Sequence, residues 1–150
     1  MQQFQRVMVC VDGSDASWKA VESARGICEA FDAEQLIAVH VIPTASVLGG
    51  FTLDEDVDMV QARFLEALEE QGGELVSRLK EHLPVTGVQT EVVVRNGSPH
   101  SEIIELAREQ DVDLIVMGNR GLTGIASVLL GSVGEKVVRH APCSVMIHRS

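Results

Sequence analysis

The part of the sequence best suited to chemistry is a glycine-rich segment, GNRGLTGIASVLLGS, at residues 118–132. It follows the apolar run DLIVMG and precedes VGEKVVRH. Glycine carries no side chain, so its N–H groups can approach a bound anion closely. A helix that begins near Ser132 would direct its partial positive charge toward the same place. The segment therefore indicates a phosphate site, to which Ser132 adds a hydroxyl and Arg120 a cation.

The same residues allow a second interpretation. Ser132–Glu135 has the form of a capping box, in which the serine only closes the start of its own helix. The segment also lacks Gly-Lys-[Ser/Thr] and is not G-x-G-x-x-G. Without a lysine to clamp phosphates, a site here would hold a nucleotide rather than cleave it quickly.

A second candidate is Asp12, which follows the apolar run RVMVCV. A carboxylate at that point can accept hydrogen bonds from the hydroxyl or amino groups of a nucleoside. The alternative is that Asp12, with Ser14 and Asp15, only caps the next helix. The sequence alone leaves both interpretations open.

Other kinds of site receive less support. The five histidines share no metal-ligand spacing with one another or with cysteine, which argues against zinc. His40 lies within an apolar run and is interpreted as a partly buried histidine with its hydrogen bonds satisfied. No G-x-S-x-G motif is present, and we assign no catalytic residue.

Composition indicates one globular domain over residues 1–150. The net charge of −10 argues against nucleic acid as a partner, and no apolar run is long enough for a membrane span. The three cysteines are far apart and odd in number. That pattern is typical of free thiols in a reducing cytoplasm.

Apolar runs alternate with amphipathic segments along the whole chain. Strands are predicted at 6–12, 35–42, 88–95, 113–118 and 143–149, and helices at 16–31, 55–82, 99–110 and 132–140. The second of these helices is predicted to have one apolar stripe, formed by Val57, Val60, Phe64, Leu68, Leu75 and Leu79. The alternation predicts an α/β fold, a doubly wound, Rossmann-like parallel sheet with helices on both faces. Ligands bind such sheets beyond the carboxyl ends of the strands, where the strand order reverses.

The glycines also follow a family pattern: Gly, two residues, Gly, nine residues, Gly and then Ser or Thr. Gly118, Gly121, Gly131 and Ser132 match it without gaps. Together with VMVCVDGS, AVHVI, RNGSP and VVRHAPCSVMI, the chain resembles the ATP-binding branch of the universal stress protein family over essentially its whole length. The resemblance implies a five-stranded parallel sheet of order 3-2-1-4-5 with four helices.

The resemblance also implies a set of site residues. Asp12 would contact the adenosine end of ATP, Val41 would bond adenine through its backbone, and Met117 and Gly118 would line adenine and ribose. The phosphates would be held by Arg120, Gly121, Gly131, Ser132 and Val133, with a divalent cation such as Mg²⁺ bridging them. Gly121→Val is expected to leave the fold intact and to abolish ATP binding. Cys10 stands where relatives often have proline and borders the expected adenine pocket.

These expectations define the leading functional hypothesis. It is a cytoplasmic ATP-binding stress-response or signalling protein that acts through conformation, dimerisation or a protein partner. The alternatives are a slow ATPase and an interaction module that binds no nucleotide. The family resemblance further implies a homodimer, formed by antiparallel pairing of the fifth strand at the sheet edge.

Overall fold

The computed structural model describes residues 4–44, 55–119 and 130–149, with the backbone alone for residues 55–58. Within them, five strands and four helices alternate along the chain. In order these are β1 (Arg6–Cys10), α1 (Asp15–Phe31), β2 (Gln35–Ile42), α2 (Glu55–His82), β3 (Gln89–Asn96), α3 (Pro99–Glu109), β4 (Leu114–Gly118), α4 (Ser132–His140) and β5 (Ser144–His148). None of the described helices has the length and hydropathy that crossing a membrane would require.

The five strands form one parallel sheet in the order β3-β2-β1-β4-β5. This confirms the predicted α/β fold and its strand order. Central β1 pairs on both sides, so that Val9 lies opposite Ala38 of β2 and Val116 of β4. The chain moves outward from β1 through β2 to β3 and then returns to β4 on the other side. The strand order therefore reverses between β1 and β4, where such sheets bind ligands.

Alternate residues of the central strands enter two separate cores. On one face, Val7 and Val9 pack in a cluster with α1 and the carboxyl-terminal half of α2. On the other face, Met8 and Ile37 pack in a cluster with α3 and α4. Because both faces are buried, these strands are continuous apolar runs rather than alternating ones.

Only the second half of α2 packs on the sheet in the way the sequence predicts. Leu75 and Leu79 are buried, whereas Val60 and Phe64 are 59% and 51% exposed. Among its described members, the predicted apolar stripe is therefore buried only in the second half of the helix. The reason is length: 28 helical residues extend about 42 Å, while the eight residues of β2 extend about 26 Å.

Candidate functional site

A cavity of about 690 Å³ lies at the carboxyl edge of the sheet, where β1, β2 and β4 end. The second half of α2 and the starts of α3 and α4 complete its walls through residues that include Leu68, Leu75, Pro99, Ile103 and Val133. This volume lies within the usual range for small-molecule sites. The cavity is at the predicted edge of the sheet and at the reversal of strand order.

Most of the predicted site residues lie at this cavity. Those that line it are Asp12, Val41, Met117, Gly118, Gly131, Ser132 and Val133. Arg120 and Gly121 lie outside the described residues, so their phosphate contacts and the effect of Gly121→Val stay predictions. The fold thus brings three strand ends and one helix start to a single space.

Asp12 lies in the tight turn between β1 and α1. Strand β1 ends at Cys10, two residues earlier than predicted, and Gly13 in the turn has a φ of +90°, a conformation that favours glycine. Asp12 Oδ1 accepts a hydrogen bond of 2.9 Å from the Ser14 N–H. Ser14, not Asp12, is the N-cap of α1, and its side chain accepts from the Ser17 N–H. Asp12 therefore stabilises the turn through one oxygen, and no partner for Oδ2 is recorded among the described residues.

Gly118 ends β4 directly against the first turn of α1. A Cβ added at Gly118 would lie 2.9 Å from the backbone C and O atoms of Ala16 and from its Cβ. Since real Cβ atoms do not approach backbone so closely, this glycine is needed for the strand and the helix to pack together. The close packing against Ala16 therefore explains why residue 118 is a glycine.

Gly131 is the N-cap of α4 and has an extended backbone, with φ −63° and ψ 163°. A Cβ added there would lie 3.9 Å from the Asn119 carbonyl oxygen, with no described atom nearer. Any residue can adopt this conformation, so neither backbone strain nor packing in the described chain requires a glycine. The space beside Gly131 is part of the cavity.

The start of α4 is open to the cavity. Ser132 is its first helical residue, and the N-cap Gly131 has no side chain with which to cap the helix. Glu135 forms an ion pair of 2.9 Å with Arg139, one turn further along the helix. The capping box suggested by the sequence is therefore not formed. Among the described residues, no acceptor is recorded for the N–H groups of Ser132, Val133 and Gly134, as expected for a first helical turn.

All three cysteines have thiols whose pKa is raised, which favours their neutral form. Burial, with the negative charge of Asp12 as a smaller cause, raises the pKa of Cys10 to about 12. Burial likewise raises the pKa of Cys28 to about 11 and raises that of Cys143. Cys10 lines the cavity, where it acts as a small apolar group rather than as a nucleophile. No cluster of three or more His, Cys, Asp or Glu side chains suited to a metal ion occurs in the described part of the chain.

Comparison with known proteins agrees with this architecture. A model of the universal stress protein family matches residues 3–149. The chain belongs to this family. Universal stress protein YxiE of Bacillus subtilis is 35% identical over 150 residues, which cover 97% of this chain and 99% of that protein.

Solved structures of universal stress proteins share the fold. Universal stress protein UspA from Lactobacillus plantarum has a TM-score of 0.81 and 27% identity, covering 99% of this chain and all of that one. A universal stress protein solved in complex with cAMP has a TM-score of 0.57 and 31% identity, covering 97% of each chain. The five-stranded sheet with four helices is therefore the architecture of the family.

Sequence reasoning missed the wall that α2 contributes to this universal stress protein cavity. Gln71, Glu74 and Arg78 line it, and the Arg78 guanidinium lies 4.6 Å from the centre of the Trp18 ring. Positions three and seven residues apart share one face of a helix, so their spacing was a usable signal. This signal was missed because polar residues on one face of a helix are usually exposed to solvent.

Proposed function

We propose that this protein holds an adenine nucleotide in the cavity at the carboxyl edge of its sheet. The adenosine end lies against Asp12, the Val41 backbone, Met117 and Gly118. The phosphates lie at the start of α4 against Gly131, Ser132 and Val133, and Arg120 and Gly121 complete their binding.

The observation that carries the proposal is the difference between the two ends of the cavity. One end offers a carboxylate oxygen and the ends of apolar strands, which suits a nucleoside. The other offers the first turn of a helix beside Gly131, where no packing in the described chain explains the glycine. Helix N–H groups with the helix dipole behind them favour phosphate. The 31% identical relative in complex with cAMP supports an adenine nucleotide as the ligand.

ATP is the proposed form of the ligand, with Mg²⁺ bridging its phosphates. The cation would supply charge neutralisation, and the protein would contribute the N–H groups of α4 and the Ser132 hydroxyl. The predicted phosphate loop has no Gly-Lys-[Ser/Thr] sequence, which supports retention of ATP rather than rapid turnover. We propose that the bound nucleotide acts through conformation, dimerisation or a protein partner in a stress response.

We also propose a homodimer formed through β5. This strand is at one edge of the sheet, and an unpaired edge can pair with a second chain. Met146 on β5 and Val138 on the neighbouring α4 are exposed apolar side chains, at 37% and 49%. Light scattering at micromolar concentration is expected to give twice the monomer mass, and a monomer mass would contradict the dimer.

We also propose a cytoplasmic location, on the basis of the cysteines. Cys10, Cys28 and Cys143 are all free thiols in the structure, which is typical of proteins in a reducing compartment. Fractionation of the producing cell tests the location directly.

The net charge of −10 supports a small ligand over nucleic acid.

The deciding experiment is isothermal titration of nucleotide-free protein with Mg-ATP, followed by chromatography of the recovered nucleotide. ADP, AMP and cAMP are titrated separately, because the N–H groups at the start of α4 do not by themselves select one of them. Binding with intact ATP recovered after overnight incubation supports a sensor or switch. Recovered ADP would identify a slow ATPase. Absence of binding to every adenine nucleotide would contradict the proposal and favour an interaction module.

A further inference from the structure

His40 lies at the cavity, but the proposed nucleotide contacts do not use it. It is on β2, one residue before Val41, and it lines the same cavity. Its Nδ1 atom is 2.8 Å from the carbonyl oxygen of Val11. A carbonyl can only accept a hydrogen bond, so Nδ1 must carry the proton and donate it.

The Val11 carbonyl is the next acceptor in the pairing of β1 with β2. The Val11 N–H donates to the Val39 carbonyl at 2.9 Å, so the backbone polar groups of Val39 face β1. Two residues further on, the N–H and C=O of Val41 face the same way, since backbone direction repeats every second residue in a strand. In a continued parallel ladder, the Val41 N–H would donate to the Val11 carbonyl.

The side chain of His40 takes that position in place of the Val41 backbone. No hydrogen bond from the Val41 N–H to Val11 is among the backbone bonds between described residues. The pairing of β1 with β2 therefore stops at Val11, and the Val41 peptide borders the cavity. The ring is backed by α2, because a Cβ added at Gly72 would lie 3.4 Å from its Cδ2 and Nε2 atoms.

We propose that His40 is a positioning residue that ends the pairing of β1 with β2, so that the N–H and C=O of Val41 are free to bond a nucleobase edge. The inference rests on the proposed function, since it concerns the base end of that site. The His40 ring bonds the Val11 carbonyl oxygen. That oxygen is then not available to the Val41 N–H, and the two strands do not pair beyond Val11. The same bond holds the Val11 peptide, and with it the turn that presents Asp12.

Hydrogen exchange of the nucleotide-free protein, followed by NMR, tests the geometry without any ligand. The Val39 N–H is expected to be protected, and the Val41 N–H is expected to exchange rapidly. In His40→Leu, the Val11 carbonyl loses its partner and becomes available to the Val41 N–H, whose exchange should slow. A protected Val41 N–H in the wild-type protein would overturn the inference, whether or not nucleotide binds.

Titrations with adenosine, ATP and inorganic tripolyphosphate test the functional consequence. His40→Leu is expected to weaken adenosine and ATP by the same factor, at least about tenfold, and to leave tripolyphosphate unchanged. His40→Asn carries an amide N–H near the position of Nδ1 and should bind within about threefold of wild type. His40→Gln carries its amide near the position of Nε2 and should behave like His40→Leu.

These outcomes separate the two proposals. If the wild-type protein binds no adenine compound, the proposed function fails, and the exchange experiment still decides whether His40 ends the strand pairing. If it binds and His40→Leu has unchanged adenosine affinity, the positioning role is contradicted. Equal weakening of tripolyphosphate, or failure of His40→Asn to restore binding, would indicate general damage to the fold and would also contradict it.

Discussion

Gly118 and Gly131 belong to one sequence motif, yet their surroundings in the structure differ. Gly118 faces the protein: an added Cβ would lie 2.9 Å from the backbone of Ala16. Gly131 faces the cavity, and the nearest described atom to an added Cβ is the Asn119 carbonyl oxygen at 3.9 Å. The chain itself closes the space at Gly118, whereas no described residue closes the space at Gly131.

The contrast shows that a spaced glycine motif can combine two independent requirements. The first places β4 close enough to α1 for the sheet to pack, as a close helix–strand contact demands. The second, under the proposed function, leaves room for the phosphates of the nucleotide. Loss of the first should therefore damage stability, and loss of the second should damage binding, so the two can be separated by substitution.

The largest effect is expected from Gly118→Ala. Its Cβ would meet backbone atoms of Ala16, which cannot move without shifting the first turn of α1. Overpacking of this kind is expected to reduce the free energy of unfolding by about 2–3 kcal/mol. Urea denaturation measures it, and unchanged stability would show that α1 does not rest on β4 as the structure has it.

Gly131→Val should have little effect on stability and a large effect on nucleotide binding. Its backbone conformation suits any residue, so the loss of stability should not exceed about 1 kcal/mol, which reflects valine as a poorer N-cap than glycine. The branched side chain would fill the space beside the first turn of α4. Affinity for Mg-ATP is expected to fall at least about tenfold, as measured by isothermal titration. Wild-type affinity would remove the ligand-based explanation for this glycine.

The fold was predictable from the sequence because its signals are local. The runs that form β1, β2 and β4 are apolar throughout, as strands buried on both faces must be, and their alternation with helices specifies a parallel sheet. The sequence offered Ser14 or Asp15 as the cap of a helix over 16–31, and the structure has Ser14 as the N-cap of α1. The exposure of Val60 and Phe64 was not predictable, because it depends on α2 being longer than the sheet that it covers.

The location of the site was predictable from the sequence, but the contacts that its residues make were predictable only in part. The two glycines have the same residue type, so the sequence could not say which one packs against Ala16. That contact joins residues about a hundred positions apart. The bond of His40 to Val11 joins residues 29 positions apart and is also non-local, although the sequence did indicate a satisfied, partly buried histidine.

A smaller effect is expected from Ser132→Ala, which tests the open end of the motif more finely. Ser132 is the first residue of α4 and lies one position after the N-cap Gly131, so its loss should leave stability unchanged or slightly higher. Affinity for ATP should fall about threefold to fivefold through the loss of one hydrogen bond, with no change for adenosine. Reduced stability with unchanged ATP affinity would instead indicate a capping role for the serine.

The smallest effect concerns Gly72 and Gly73, adjacent residues of α2 that differ in what an added Cβ would contact. A Cβ at Gly73 meets nothing within 4 Å, whereas at Gly72 it would lie 3.4 Å from two atoms of the His40 ring. Gly73→Ala should raise the free energy of unfolding by about 0.5–1 kcal/mol, because alanine favours helix.

Gly72→Ala has the same helix preference, but the His40 ring is fixed by its bond to Val11 and has little freedom to move. Its gain should therefore be about 0.5 kcal/mol smaller than that of Gly73→Ala. In a His40→Ala background the two substitutions should become equal, and a difference that persists there would mean that contact with His40 is not its cause.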